Sequence, residues 1–218
     1  MLVFLYLEKK KMSVLKLMEW RYATKIFDPE KIVPQEDIEY LKKCIRLTPS
    51  SYGLQPYKIQ IITDADTKKK LLPYSYNQRQ VVEASHLFVF ANFTEISDEY
   101  LEYFYRLKAK VQGKKFEDYI PYMKKVSAFI KSLSPEKLLE YTALQTYMAL
   151  ETLLIAAPEK QIDTCAIGGF MPDKYNEILG YPQKNLNACV VAAVGYRSPE
   201  DQNQYLPKFR IPEEDLFF

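Results

Sequence analysis

Apolar residues recur at helical spacing from the start of the readable pattern: Val14, Leu15, Leu17 and Met18 share a face behind Ser13, whose hydroxyl suits an N-cap. The same period predicts a second helix from about Pro34 to Leu47, with Pro34 tolerated in its first turn. Turn formers crowd Thr48 to Pro56, and Tyr57–Ile62 then alternates with β-branched residues, as a strand does. Short helices are expected over 66–72 and 78–84, with a buried strand at Leu87–Ala91 between them and the next helical region. Residues 97–132 form a charged, tyrosine-rich helical stretch, broken near Gly113 and again around Pro121. Pro135–Ala157 carries helix formers, and its apolar second half predicts burial. Strands follow at Thr164–Ile167 and Ala188–Val194, the latter so apolar that a central position is expected. The tail Leu206–Pro212 lies between prolines and reads as an extended arm. With no repeat and no linker, residues 13–218 read as one mixed α/β domain.

Composition narrows what such a domain does. At 48% hydrophobic and 14% aromatic, the 218 residues exclude disorder as the dominant state. A net charge of +2 removes the main argument for a nucleic-acid partner. Cys44, Cys165 and Cys189 are scattered, and the single histidine, His86, cannot complete a zinc site with them or support a triad. The cysteines read as small hydrophobes in a reducing compartment, and His86 as a packed residue at a strand edge. Residues 1–12 open with a seven-residue apolar run followed by Glu8 and three lysines. That run lacks the layout of a signal peptide and is too short for a bilayer, which takes about 20 residues. The segment is read as an N-terminal extension, with a start at Met12 as the alternative, and the protein is expected in the cytoplasm without a membrane partner.

Candidate chemistry is sparse. Six glycines and no glycine-rich phosphate loop dismiss Rossmann and P-loop readings. Arg21 and Lys25 place two cations four residues apart at a helix exit. Pro49-Ser50-Ser51-Tyr52-Gly53 supplies hydroxyls and backbone amides in a loop, and Gly168-Gly169 leaves room for a flat ligand against backbone. Lys208 and Arg210 alternate on the arm and project from one side of it. Each feature has an ordinary explanation: solvated cations, a turn, a bend. The residues alone stop at a domain with a candidate anion site.

The order of these segments resembles the nitroreductase family of FMN-dependent oxidoreductases. The resemblance is carried by Arg21–Phe27, Pro49–Tyr57, Asn77–Gln80 with Glu83–His86, Ile167–Phe170 and Leu206–Arg210. It implies an α+β nitroreductase-like fold, with a central, mostly antiparallel sheet flanked by helices, forming a homodimer with C-terminal arm exchange. It further implies a two-step reaction: NADH or NADPH reduces the flavin at N5 and leaves, and a nitroaromatic, quinone or activated alkene then takes the electrons. The alternatives are a storage, sensing or flavin-fragmenting member of the fold, or an interaction module that has lost its cofactor.

By the same resemblance Arg21, Lys208 and Arg210 hold the flavin phosphate, and Lys25 faces the pyrimidine edge, where negative charge builds on reduction. Asn77 bonds the pyrimidine, Ile167, Gly168 and Gly169 approach N5, and Gln145 supports the site. Tyr22 and Ala23 belong to the first segment and Gln80 to the third. Ala23, Gln80 and Gly168 stand where many relatives carry serine, lysine and glutamate. Pro49, Ser50, Ser51, Tyr52 and Gly53 form the loop that the partner subunit lends to each flavin. Tyr52, Tyr122 and Phe129 are the candidate acceptor-site residues, the last two on a lid drawn from residues 98–132. No side-chain catalyst and no metal is expected, because the cofactor carries the chemistry.

Overall fold

The computed structural model describes residues 13–218; the segment read as an extension, 1–12, lies outside them. Four strands form one antiparallel sheet: β1 (Tyr57–Ile62), β2 (His86–Phe93), β3 (Asp163–Ile167) and β4 (Leu186–Gly195), in the order β1-β2-β4-β3. β2 and β4 occupy the centre, so β2 is buried along its whole length. The two faces of the sheet build two cores. Leu87, Val89 and Ala91 of β2 join one, with Val191 and Ala193 of β4; Phe88 and Phe90 join the other, with Val190, Ala192 and Val194. That split is the period-two alternation of a strand, hidden in the sequence because both faces are apolar.

Helices cover both faces. Ser13 caps α1 (Val14–Trp20) by accepting from the Lys16 amide, as its sequence position predicts. Pro34 falls at the N-cap of α2 (Gln35–Arg46), which carries Glu36 and Asp37 in its first turn and Lys43 and Arg46 in its last, complementing the helix dipole. Asp64 caps α3 (Ala65–Leu71). The helix expected over 78–84 shortens to one turn, α4 (Gln80–Glu83). Gly113, at φ +63°, ends α5 (Asp98–Gln112), and Pro121 sits in the first turn of α6 (Ile120–Lys131), so both expected breaks are present. α7 (Pro135–Ala156) buries Thr142, Gln145, Thr146, Ala149, Leu150, Leu153 and Leu154 against β2, β4 and α2.

One further helix, α8 (Pro172–Leu179), was not expected. Pro172 in its first turn and Gly180 at φ +64° just beyond it are the signals that mark it. A single closing turn, α9 (Glu213–Leu216), ends the arm, whose preceding residues 206–212 carry no helix or strand. Among the described residues, no helix is long and apolar enough to cross a membrane. His86 packs at the start of β2, buried, with Nδ1 2.8 Å from the Ser85 hydroxyl, which accepts from the Val33 amide. Burial and then the neighbouring Lys68 hold its pKa below the ordinary histidine value.

Gly195 closes β4 in a crowded place. A Cβ there would meet Phe27 Cδ1 at 3.0 Å and the backbone nitrogen of Ser85 at 3.1 Å. Backbone cannot step aside cheaply, so Gly195→Ala is expected to cost about 1–3 kcal/mol. Calorimetry at neutral pH should read this as a Tm lowered by roughly 2–12 °C. An unchanged Tm would show that the β4 end relaxes freely.

Candidate functional site

The segment after α1 runs along the open edge of β3. The Thr24 amide donates to the Thr164 carbonyl, and Ala23 forms a parallel bridge with Thr164. Further on, Asp28 N bonds Tyr196 O at 2.8 Å and Ser198 N bonds Ile26 O at 2.9 Å, so the same segment also receives the chain leaving β4. Asp201 fastens the two together. Fully buried, its Oδ2 accepts from Tyr22 OH at 2.9 Å, Lys25 N at 2.7 Å and Ile26 N at 3.2 Å, while Oδ1 accepts from Asn203. Burial pushes the carboxyl pKa up, but the bonds from Asn203, Lys25, Ile26 and Tyr22 outweigh it and hold the group below the carboxylate range. Sequence reasoning missed Asp201, which looks like one more polar residue in a polar tail.

Beside it, Arg197 reaches the buried Asp163 through Nε at 2.8 Å and its backbone amide at 2.8 Å. Its guanidinium lies 4.2 Å from the ring centre of Trp20 and 4.6 Å from that of Tyr22, held between the two. Tyr22 is thus fixed at both its ring and its hydroxyl. This leaves Lys25 with its backbone tied to Asp201 and its side chain exposed.

Onto this frame the arm brings its cations. Lys208 Nζ donates to the Arg21 carbonyl, and a cleft of about 310 Å³ opens among Tyr22, Ala23, Lys25, Lys208 and Arg210. The Arg21 pKa is lowered by burial, opposed by Glu151 and lowered further by Arg210. That of Lys208 is lowered by burial, then by Arg21 and Arg210. Among the described residues none of the three forms an ion pair, and Arg21 Nε is buried without a hydrogen-bond partner. Neighbouring cations and an orphaned donor suit an anion, and a phosphate dianion answers both. A larger cleft, about 530 Å³, opens beside β1 and β2, but Lys58, Lys184 and Glu95 on its walls are not a convergent cation set.

At the end of β3, Ile167 is buried while Gly168 and Gly169 are exposed, and a Cβ at Gly168 would meet nothing within 4 Å. Gln78 ties this turn to the loop before α4, donating to Gly169 O at 2.7 Å and Ser75 O at 3.0 Å. Met171 N bonds Tyr74 O at 2.8 Å in support. The exposed Asn77 stands in this loop at φ +55°, next to Tyr76 at +51°. Gln80, by contrast, is buried in the first turn of α4. The structure therefore joins Asn77 to the Gly168–Gly169 turn, through the unforeseen Gln78.

The loop 49–53 attaches elsewhere. Ser51 N donates to Gln145 Oε1 on α7 at 2.7 Å, and Ser50 Oγ accepts from Gln55 N at 2.9 Å, with Pro49 exposed beside it. Tyr52, at φ +55°, sets its ring 6.3 Å from Tyr122 and 5.7 Å from Phe129 of α6, while Gly53 borders Phe104 of α5. Among the described residues, four of the six non-glycine residues with positive φ, namely Tyr52, Gln55, Tyr76 and Asn77, lie in or next to these two loops. Such strained backbone concentrates where a loop is held for a task. The candidates thus form two groups: cations, glycine turn and Asn77 along β3, and loop 49–53 with Gln145, Tyr122 and Phe129 on α6 and α7.

Residues 18–196 match the family model described as the Nitroreductase family. A Staphylococcus haemolyticus protein named as an NAD(P)H nitroreductase is 32% identical over 216 residues, covering 94% of this chain and 95% of that protein. The oxygen-insensitive NAD(P)H nitroreductase of Salmonella typhimurium is 28% identical over 218 residues, covering 93% and 97%. Among solved structures, one from Staphylococcus epidermidis described as an NAD(P)H:FMN oxidoreductase matches with a TM-score of 0.84 at 20% identity, covering 96% of this chain and 98% of its own. An Exiguobacterium sibiricum nitroreductase in complex with FMN matches with a TM-score of 0.82 at 19% identity, covering 95% and 97%. The chain belongs to the nitroreductase family, a family of oxidoreductase enzymes.

Proposed function

We propose that this protein is an FMN-dependent NAD(P)H oxidoreductase that passes electrons to nitroaromatic, quinone or activated-alkene acceptors. The observation that carries the reading is a small cleft lined by Lys25, Lys208 and Arg210, with Arg21 beside it bonded to Lys208 through its carbonyl and none of them in an ion pair among the described residues. The relative with bound FMN supports assigning that cleft to the flavin phosphate. When bound, the flavin supplies two-electron transfer between the nicotinamide and the acceptor. The chain's own residues bind and orient. Arg21, Lys208 and Arg210 hold the phosphate, and Lys25 offers a cation to the charge that grows on reduction. Tyr22 and Ala23 wall the cleft; Ile167, Gly168 and Gly169 leave a face open for a flat ring, and Asn77 offers its amide beside them. Gln80, buried, shapes the loop from behind.

The second group completes the site from a second copy. Leu144, Tyr147 and Met148 of α7 expose 62%, 47% and 41% of their surface, and Phe209, Ile211, Leu216 and Phe217 stand out from the arm. An obligate homodimer, typically burying more than about 2,000 Å², covers such surface and brings Pro49–Gly53 and Gln145 of one protomer to the cations of the other. Exchange of the arm beyond Arg210 locks the pair, and residues 1–12 remain an extension to the single domain 13–218.

The test is direct. The purified protein is expected to be yellow, dimeric over a dilution series, and to oxidise NADH or NADPH when a quinone is added. Deleting 211–218 keeps Asp201, Lys208 and Arg210 but removes the exposed apolar end, and should shift the dimer towards monomer with flavin loss. A colourless protein that takes up no FMN and turns over no acceptor sinks the reading.

A further inference from the structure

The phenol of Tyr105 is an anomaly. The residue is fully buried on α5, and its hydroxyl is inaccessible to solvent without a hydrogen-bond partner. Its ring packs 5.1 Å from Phe104, 5.9 Å from Tyr119 and 6.2 Å from Tyr122. Burial pushes its pKa up to about 12, reinforced by the neighbouring phenols of Tyr122, Tyr52 and Tyr141, so it remains a protonated donor at neutral pH. An unmade hydrogen bond in such a place costs stability. A phenylalanine ring would fill the space without that cost.

Tyr122, packed against this ring, belongs to the candidate acceptor site. Tyr52 and Tyr122, two of its phenolic neighbours, form an edge-on pair and are 37% and 45% exposed. Phe129 bridges Tyr52 to Tyr141 at 5.7 Å on each side. Tyr52 and Tyr122 thus form the solvent-facing side of the cluster and Tyr105 its buried side. The cluster has aromatic walls and two buried hydroxyls without a partner, those of Tyr105 and Tyr141. Its complement is a flat ring carrying an oxygen that accepts a hydrogen bond.

We infer that Tyr105 is a specificity-determining residue of the acceptor site, donating to the nitro, quinone or carboxylate oxygen of an aromatic molecule admitted when Tyr52 and Tyr122 part. The inference rests on the reductase reading for its substrate and on the buried hydroxyl for its chemistry. It assigns Tyr105 to positioning the bound ring, so its loss should weaken binding far more than it slows transfer.

The experiment compares the holoenzyme with Tyr105→Phe and with Tyr181→Phe, which removes another buried, unpartnered hydroxyl beside β2 and β4, outside the aromatic cluster. Tyr105→Phe is expected to keep its flavin, to melt at a higher temperature than wild type, and to raise KM for a quinone roughly three- to tenfold at similar kcat. Calorimetric titration with benzoate, which has the ring and the oxygens but accepts no electrons, should show the same weakening. Tyr181→Phe should also raise Tm but leave KM and benzoate affinity unchanged. The inference is overturned if wild type does not bind benzoate, if Tyr105→Phe binds it equally well, or if that variant melts lower. A wild type that turns over no acceptor sinks the reductase reading instead, and benzoate affinity still decides on Tyr105.

Discussion

Arg210→Ala and Arg21→Ala are each expected to purify as folded protein depleted of flavin, with affinity for FMN reduced roughly ten- to hundredfold. A charge-assisted bond to a bound phosphate contributes about 1.5–3 kcal/mol, and these two guanidiniums are the forked donors of the cluster. In the free protein they repel: Arg210 lowers the pKa of both Arg21 and Lys208, and the buried Arg21 Nε has no acceptor. Arg210→Ala therefore takes no ion pair from the fold, and its Tm measured without flavin should stay level or rise, whereas Arg21→Ala also gives up the attraction of Glu151. Arg210→Lys keeps the charge but not the fork, so its occupancy should fall between wild type and alanine. Flavin absorbance per protein, beside far-ultraviolet dichroism, reads all three variants. Full occupancy in both alanine variants would reduce the cluster to solvated surface cations.

The sequence made these cations legible because an extended arm between prolines sends alternate side chains to one side, and Arg21 closes a short amphipathic helix. It made the strands legible for a related reason. β2 and β4 are buried on both faces, so they read as apolar runs, yet the run says nothing of their order or of the ends at His86 and Phe93. The Gly113 break was readable from the conformation glycine permits, and the Pro172–Gly180 signal for α8 was there to be read. What local pattern could not reveal are partners far away in the chain. Gln78 stands in a quoted motif, but its bond to Gly169 joins positions 91 apart. Asp163 and Arg197 form their pair only because β3 and β4 are neighbours. Tyr105 is one of many tyrosines, set apart only once folding packs its ring against Tyr122 with its hydroxyl unpartnered. The two-part site is itself a consequence of folding, since the motif order in the chain is silent on which segments meet within one copy.

Asp201→Ala is expected to lower Tm by roughly 6–12 °C, the counterpart of about 3 kcal/mol in a domain of this size. The carboxylate accepts from a phenol, three backbone amides and the Asn203 side chain, all of which lose their acceptor together. The damage spreads beyond stability, because Asp201 is the joint between the segment bearing Arg21 and Lys25 and the arm bearing Lys208 and Arg210. Flavin should be lost along with Tm, whereas Arg210→Ala loses flavin and keeps its Tm. Asp201→Asn separates charge from shape. In the native protein the carboxyl pKa lies below the ordinary range, so ionisation favours the fold at every pH above that range. As pH falls through the ordinary carboxylate value towards the native one, the unfolded chain takes up the proton first and this contribution disappears. The Tm difference between wild type and Asp201→Asn should accordingly be largest near neutrality and shrink on the acid side. A difference that stays constant from neutral pH to about pH 3 would mean that Asp201 acts through packing rather than through its charge.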